Sequence, residues 1–270
     1  MPYATASGGH RVHFREFGSR RDPTLVLVQG LALDGRFWFE LPERLASDPE
    51  QPWHVLVPDN RGTGKSDMPR RPWTMGDMAD DVAAVLDAAG VRRAVVVGIS
   101  MGGMISQQVA LRHPARVEGL VLMATWPGLP HGKLPELRMV GDLVGSGLLQ
   151  RRQIDAVARL LLPDHAVPQA RELLADWFAL MRAQPPRRRT FVGQFGAITT
   201  HSTGRRLDQI HVPVRVVHGA EDRLVPPRNS EILAAGIPGA ELEVLPRIGH
   251  AIPLLDRQVV RRNAGAVRRG

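Results

Sequence analysis

Ser100 stands between two glycines in the run Gly98-Ile99-Ser100-Met101-Gly102. A serine hydroxyl is a weak nucleophile and attacks a carbonyl only when a base takes its proton. This spacing suits a sharp turn in which side chains two residues either side of the serine would collide, so glycine is needed at both places. The run follows Ala94-Val95-Val96-Val97, an apolar stretch with strand character, and opens a helical pattern. A strand, turn and helix in that order lift the Ser100 hydroxyl above the end of a sheet. They also leave the Met101 N–H at a helix N-terminus, aimed at developing negative charge. The chemistry open to such a serine is acyl transfer, provided a histidine and an orienting carboxylate lie near it.

Two downstream segments can supply the partners. Val216-Val217-His218-Gly219-Ala220-Glu221-Asp222 ends an apolar run and enters a loop reaching Val225-Pro226. Ile248-Gly249-His250-Ala251 follows the apolar run Leu242 to Leu245. Asp222 as acid and His250 as base give the order serine, acid, histidine, and both lie past the carboxyl ends of expected parallel strands, where open α/β sheets place ligand sites. The competing residues are less well placed. Glu221 is expected to point away from its neighbour Asp222, Asp208 precedes its strand, and Asp256 follows the histidine. His218 ends a strand and reads as a packed, hydrogen-bonded residue. His113 and His201 lie outside any strand-end loop and read as surface or cap residues.

The elements that must position these groups alternate along the chain. Arg11 to Phe17 alternates as a half-buried strand does. Thr24 to Gln29, Trp53 to Pro58, Ala94 to Gly98, Gly119 to Ala124, Val214 to His218 and Leu242 to Leu245 are short Val- and Leu-rich runs. Such runs suit strands buried on both faces of a parallel sheet. Helical patterns lie between them, at Met78 to Ala89, Met101 to Arg112 and Pro227 to Ala235. The expected fold is α/β, a mostly parallel sheet flanked by helices. The rhythm breaks over residues 127–206, which read as a helical cap between core strands, leaving residues 1–126 and 207–270 as the core.

These features together resemble the α/β-hydrolase superfamily across nearly the whole chain, and the enol-lactonases and methylesterases within it. Gln29-Gly30-Leu31 is similar to the family's His-Gly-x oxyanion loop, with Gln29 in place of the histidine. Asp59-Asn60-Arg61-Gly62-Thr63-Gly64-Lys65-Ser66 matches its D-x-R-G-x-G-x-S segment, and Gly219 to Pro226 its acid loop. The resemblance implies an ester or lactone hydrolase working through an acyl-enzyme, with Ser100, Asp222 and His250 catalytic and the Leu31 and Met101 backbone N–H groups as oxyanion donors. Gly30, Trp126 and Trp177 are the candidate substrate-binding residues. The same motifs would serve a carbon–carbon bond hydrolase, a lyase, cyclase or perhydrolase, or a non-catalytic ligand receptor on this fold. Dehalogenases and most epoxide hydrolases of the superfamily use an aspartate nucleophile, and serine at position 100 argues against both. The C-terminal helix looks weak, with only Val260, Ala264 and Val267 at helical spacing.

Composition narrows the remaining classes. The chain has 270 residues, 43% of them hydrophobic, which suffices for one large core with an insertion. It has no cysteine, so disulfide and thiolate chemistry are excluded. No His-Glu-x-x-His or similar pair appears, so no metal and no cofactor is expected. The formal charge is +8, carried almost wholly by arginine in short runs such as Arg151-Arg152 and Arg187-Arg188-Arg189. Without interleaved aromatics these runs do not suit nucleic acid, and a small-molecule ester or lactone is the expected partner. Gly64-Lys65-Ser66 mimics the end of a phosphate-binding loop, but Asp59 occupies the position where that motif needs glycine. No signal-peptide pattern opens the chain and no apolar stretch is long enough to span a bilayer, so a cytoplasmic location is expected.

Overall fold

The computed structural model describes residues 2–135, 154–168, 170–185 and 187–269. The Arg151-Arg152 run and positions 136–153 of the expected cap lie outside them. Among the described residues eight strands make one sheet: β1 (Tyr3–Thr5), β2 (Arg11–Phe17), β3 (Thr24–Val28), β4 (His54–Pro58), β5 (Ala94–Ile99), β6 (Val117–Met123), β7 (Val214–Gly219) and β8 (Glu241–Leu245). Their spatial order is β1-β2-β4-β3-β5-β6-β7-β8. β2 pairs antiparallel with β1 and β4, and every other pair is parallel.

Side chains alternate between the two faces along each central strand, and both faces are covered. Val26, Val28, Val96, Leu120, Leu122 and Val216 point to one side. There they meet α2 (Met75–Ala88), α3 (Met101–Arg112) and α7 (Arg228–Gly236) through residues such as Met78, Ile105 and Leu233. Leu25, Leu27, Val95, Val97, Val121 and Val217 point to the other. They pack against α1 (Leu41–Ala46) and α9 (Val259–Arg269). The near-continuous apolar runs in the sequence follow from this two-sided burial.

β8 departs from that pattern. It is the edge strand of the sheet, and Leu242 and Val244 on it are exposed. α9 is firmer than its sequence suggests. Val259, Val260, Ala264 and Val267 are all buried against the sheet. A buried valine contributes about 1.5–2 kcal/mol, more than the few tenths lost to its weak helix propensity.

The segment between β6 and β7 carries the helices α4 (Ile154–Leu161), α5 (Arg171–Ala183) and α6 (Arg188–Thr199). Leu174, Trp177 and Phe178 of α5 form a separate cluster with Phe37 and Ala251, which belong to loops beyond β3 and β8. The short helix α8 (Ile252–Leu255) completes the order. Among the described residues no helix is long and apolar enough to cross a membrane.

Candidate active site

The turn joining β5 to α3 holds Ser100 at φ 56° and ψ −120°, a conformation non-glycine residues rarely adopt. Strain of this kind costs of order 1–3 kcal/mol and persists only where the surroundings enforce it. The Ser100 N–H donates to the Met123 carbonyl at 2.9 Å, and the Thr125 hydroxyl donates to the Ser100 carbonyl at 2.7 Å. The flanking glycines are obligatory. A Cβ on Gly98 would lie 2.2 Å from the Gly102 carbonyl oxygen, and one on Gly102 would lie 2.1 Å from that of Val28.

Asp222 and His250 meet although 28 residues separate them. The His250 Nδ1 lies 2.8 Å from Asp222 Oδ2. The other carboxylate oxygen, Oδ1, accepts the Leu224 and Val225 N–H groups at 2.9 Å each. His218 is packed and hydrogen-bonded as its strand-end position suggested, and its partner is Asp222. Its Nε2 lies 3.2 Å from Asp222 Oδ2 and donates to the Val225 carbonyl at 2.9 Å. That pairing could have been found from the sequence only by noting that His218 lies four residues before Asp222, across a turn that brings the two back together. Burial works to raise the Asp222 pKa. The electrostatic pull of His250 and the hydrogen bonds from His218 and His250 overcome it and hold the carboxyl well below the usual range.

The rejected candidates lie elsewhere. Glu221 is exposed, with its carboxylate 3.8 Å from His165. Asp256 pairs with Arg262, and His113 with Asp80. His201 is not a surface residue. It is buried, at the junction where the cap returns toward β7.

After β3 the loop carrying Leu31 closes on the serine. A Cβ on Gly30 would lie 3.5 Å from that of Ser100. Gln29, at the position where the resembled family has histidine, turns its Oε1 back to accept the Gly30 N–H at 2.8 Å. Its carbonyl accepts from the Asn60 side chain at 2.9 Å. Neither the Leu31 nor the Met101 N–H donates to a described residue.

Ser100, His250, Gly30 and Leu31 line one cavity of about 480 Å³ at the carboxyl end of the sheet. The chain turns to opposite sides after β3 and β5, and ligands of open α/β sheets sit at such a switch point. Trp126 and Trp177 both line it. The Trp126 indole N–H donates to the Met104 sulfur at 3.3 Å, and Trp177 stacks edge-on against Phe37 and Phe178. The remaining wall is mainly aliphatic and aromatic, with Arg44, Lys133 and Arg257 as its cations.

The Asp59–Ser66 segment is built around its own carboxylate. Asp59 accepts from His13 Nδ1 at 2.8 Å and from the Gly35 and Lys65 N–H groups at 2.9 Å each. A Cβ on Gly64 would lie 2.2 Å from Asp59 Oδ2. Arg61 then ties the loop to α2 through Asp81, at 2.7 and 2.8 Å. The turn that mimics a phosphate loop is thus already folded on an internal anion.

The sequence profile of the alpha/beta hydrolase fold matches residues 23–256. A Pseudomonas syringae pv. syringae (strain B728a) protein named for carbamate hydrolysis, RutD, is 31% identical over 237 residues, covering 87% of this chain and 89% of that one. The solved structure of Est816, described as an N-acyl homoserine lactone degrading enzyme, is 30% identical, with a TM-score of 0.77 over 97% of this chain and 98% of that one. The enol-lactonase of Burkholderia xenovorans LB400 superposes with a TM-score of 0.84 over the full length of both chains at 24% identity, a likeness of fold. From its sheet and these relatives, the chain belongs to the alpha/beta hydrolase fold family and is a hydrolase.

Proposed function

We propose that this hydrolase cleaves a carboxylic ester or lactone through an acyl-enzyme, with Ser100 as nucleophile, His250 as general base and Asp222 as the acid that orients it. The observation that carries the reading is the 2.8 Å contact of His250 Nδ1 with Asp222, while His250 and the strained Ser100 face the same cavity. With Nδ1 engaged, Nε2 is the imidazole nitrogen left to take the serine proton. The serine oxygen bonds to the substrate carbonyl carbon, and the carbonyl electron pair moves onto oxygen. The Leu31 and Met101 N–H groups receive that oxyanion. His250 returns the proton to the leaving alcohol, and water activated by the same imidazole releases the acid.

The mainly apolar lining and the size of the cavity suit an ester or lactone with a hydrocarbon body. A carbamate carbonyl is open to the same attack, and the name of the Pseudomonas syringae relative puts carbamates on the test panel.

The test is steady-state turnover of p-nitrophenyl esters, lactones and carbamates by wild type and Ser100→Ala, alongside labelling by a fluorophosphonate. Wild type is expected to turn over many times and to label. Ser100→Ala should lose at least about 10⁴-fold in kcat and all labelling. Wild-type turnover in the purified variant removes Ser100 as nucleophile. Labelling with a single burst and no steady state replaces the enzyme by a receptor.

A further inference from the structure

Two amide side chains hold the loop that carries Leu31, one from the core and one from the cap. Asn60 fixes its near end at the Gln29 carbonyl. At its far end the Ala32 N–H donates to Gln194 Oε1 at 2.7 Å, across 162 residues of sequence. The Gln194 Nε2 donates to the Arg61 carbonyl at 3.1 Å, so both ends of the amide are used. Ala32 sits at φ 62°, in the left-handed region that a residue with a Cβ enters only when held. Gln194 is fully buried, so solvent cannot readily replace its bonds. It reaches the core because α6 lies close: a Cβ on the adjacent Gly193 would stand 2.4 Å from the Trp73 ring.

We propose that Gln194 is a positioning residue for the oxyanion loop, so that cap helix α6 sets the aim of the Leu31 N–H. The proposal rests on the serine-hydrolase reading above. The Gly30–Leu31 peptide hangs between the two anchors with its N–H uncommitted among the described residues. Fixing the next peptide through Ala32 fixes the plane from which that N–H points. Without Gln194 the Leu31–Ala32 peptide can rotate away from its strained setting. The hole then loosens where the transition state, not the ground state, needs it.

The experiment compares Gln194→Leu, Gln194→Asn and Thr190→Val with wild type. Leucine removes both bonds at similar volume, and asparagine is one methylene too short to hold both. Thr190, also on α6, donates from its hydroxyl to the Gly62 carbonyl at 2.6 Å, and its loss loosens the cap without touching the loop. The readouts are kcat and KM on the best p-nitrophenyl ester, and Ki for an alkyl trifluoromethyl ketone and its methyl ketone counterpart. The trifluoromethyl ketone accepts the serine oxygen at its carbonyl carbon, places the electron pair on oxygen in the hole, and sends the serine proton to His250. Both Gln194 variants should lose about 10²-fold in kcat with KM changed less than about threefold. Their Ki for the trifluoromethyl ketone should rise in parallel and that for the methyl ketone should not. Thr190→Val should match wild type in all four readouts. Should Gln194→Leu fail to fold by circular dichroism, the asparagine variant carries the test. Equal trifluoromethyl ketone affinity in wild type and a folded Gln194 variant overturns the role, as does an equal loss in Thr190→Val. A wild type that neither turns over esters nor forms the adduct defeats the serine-hydrolase reading instead.

Discussion

Asp222 shows how one side chain can be fully committed before any substrate arrives. One carboxylate oxygen takes two backbone N–H groups and the other takes two imidazoles, at 2.8 and 3.2 Å. Asp222→Asn keeps the oxygen that caps the Leu224 and Val225 N–H groups, so the loop should fold. It places an NH₂ where His250 now donates, which forces the wrong imidazole tautomer. We expect kcat to fall about 10⁴-fold with a near-native circular dichroism spectrum. Glu221→Gln, whose side chain is exposed and points to His165, should retain activity. An active Asp222→Asn beside a dead Glu221→Gln would reassign the acid. The strand-end positions of Ser100, Asp222 and His250 are legible in the sequence because each sits in a short local pattern after an apolar run. Gln194 is not, because it reaches the loop beside Ser100 across 162 residues and carries no local motif.

At the scale of elements, the serine turn is set by how closely helix α3 approaches strand β3. The hypothetical Cβ of residue 102 meets a backbone carbonyl at 2.1 Å, and backbone cannot move aside as a flexible side chain can. Gly102→Ala should therefore destabilise by about 3 kcal/mol or more, the upper end of the overpacking range. That corresponds to a fall in Tm of roughly 6–12 °C for a chain of this size. Gly196→Ala is the control. It lies within α6, and a Cβ there meets nothing within 4 Å. It should be neutral or stabilising by up to about 1 kcal/mol. Calorimetry of the two purified variants checks the contrast, and equal melting would show that the approach of α3 is not limiting. α9 illustrates the reverse case, since a weak sequence pattern becomes a firm helix once four of its side chains find the sheet.

Over the whole molecule, a minority of the arginines tie together segments that are separated in sequence. Arg61 meets Asp81, Arg261 meets Asp48 and Glu50, and Arg262 meets Glu243 and Asp256. The protonation of buried groups then sets how stability follows pH. Burial, reinforced by the charge of Arg206, pushes the His201 pKa down to about 3. The unfolded chain protonates this imidazole near 6.5, so below that pH the unfolded state holds the extra proton. The contribution of a neutral His201 is thus complete above about 6.5 and shrinks by about 1.4 kcal/mol per pH unit as pH falls toward 3. Asp222, held below the usual carboxylate range, adds its own loss at still lower pH, once the unfolded carboxyl near 4 begins to protonate. Urea unfolding of wild type and His201→Gln between pH 7.5 and 4.5 should give slopes that differ by about one proton, the variant being flatter. Coincident slopes would show that His201 is not the group responsible.

The sequence by itself determined the chain order of strands β2 to β8 and of helices α2, α3 and α7, the serine turn and the loops that carry Asp222 and His250. Each depends on periodicity, glycine spacing or chain order, which are properties of neighbours along the chain. It also marked Asp59 as incompatible with a phosphate loop. Only the tertiary structure decided which strand became the exposed edge, that Asp222 serves two histidines, and that Gln194 of the cap reaches the loop beside Ser100. The contacts of Asp222 with His250 and of Gln194 with Ala32 turn on segments 28 and 162 residues apart burying their polar groups against one another. The Gln194 amide leaves no trace of its partner in its own neighbourhood of sequence, because the hydrogen bond that fixes it exists only once the fold has brought the two segments together.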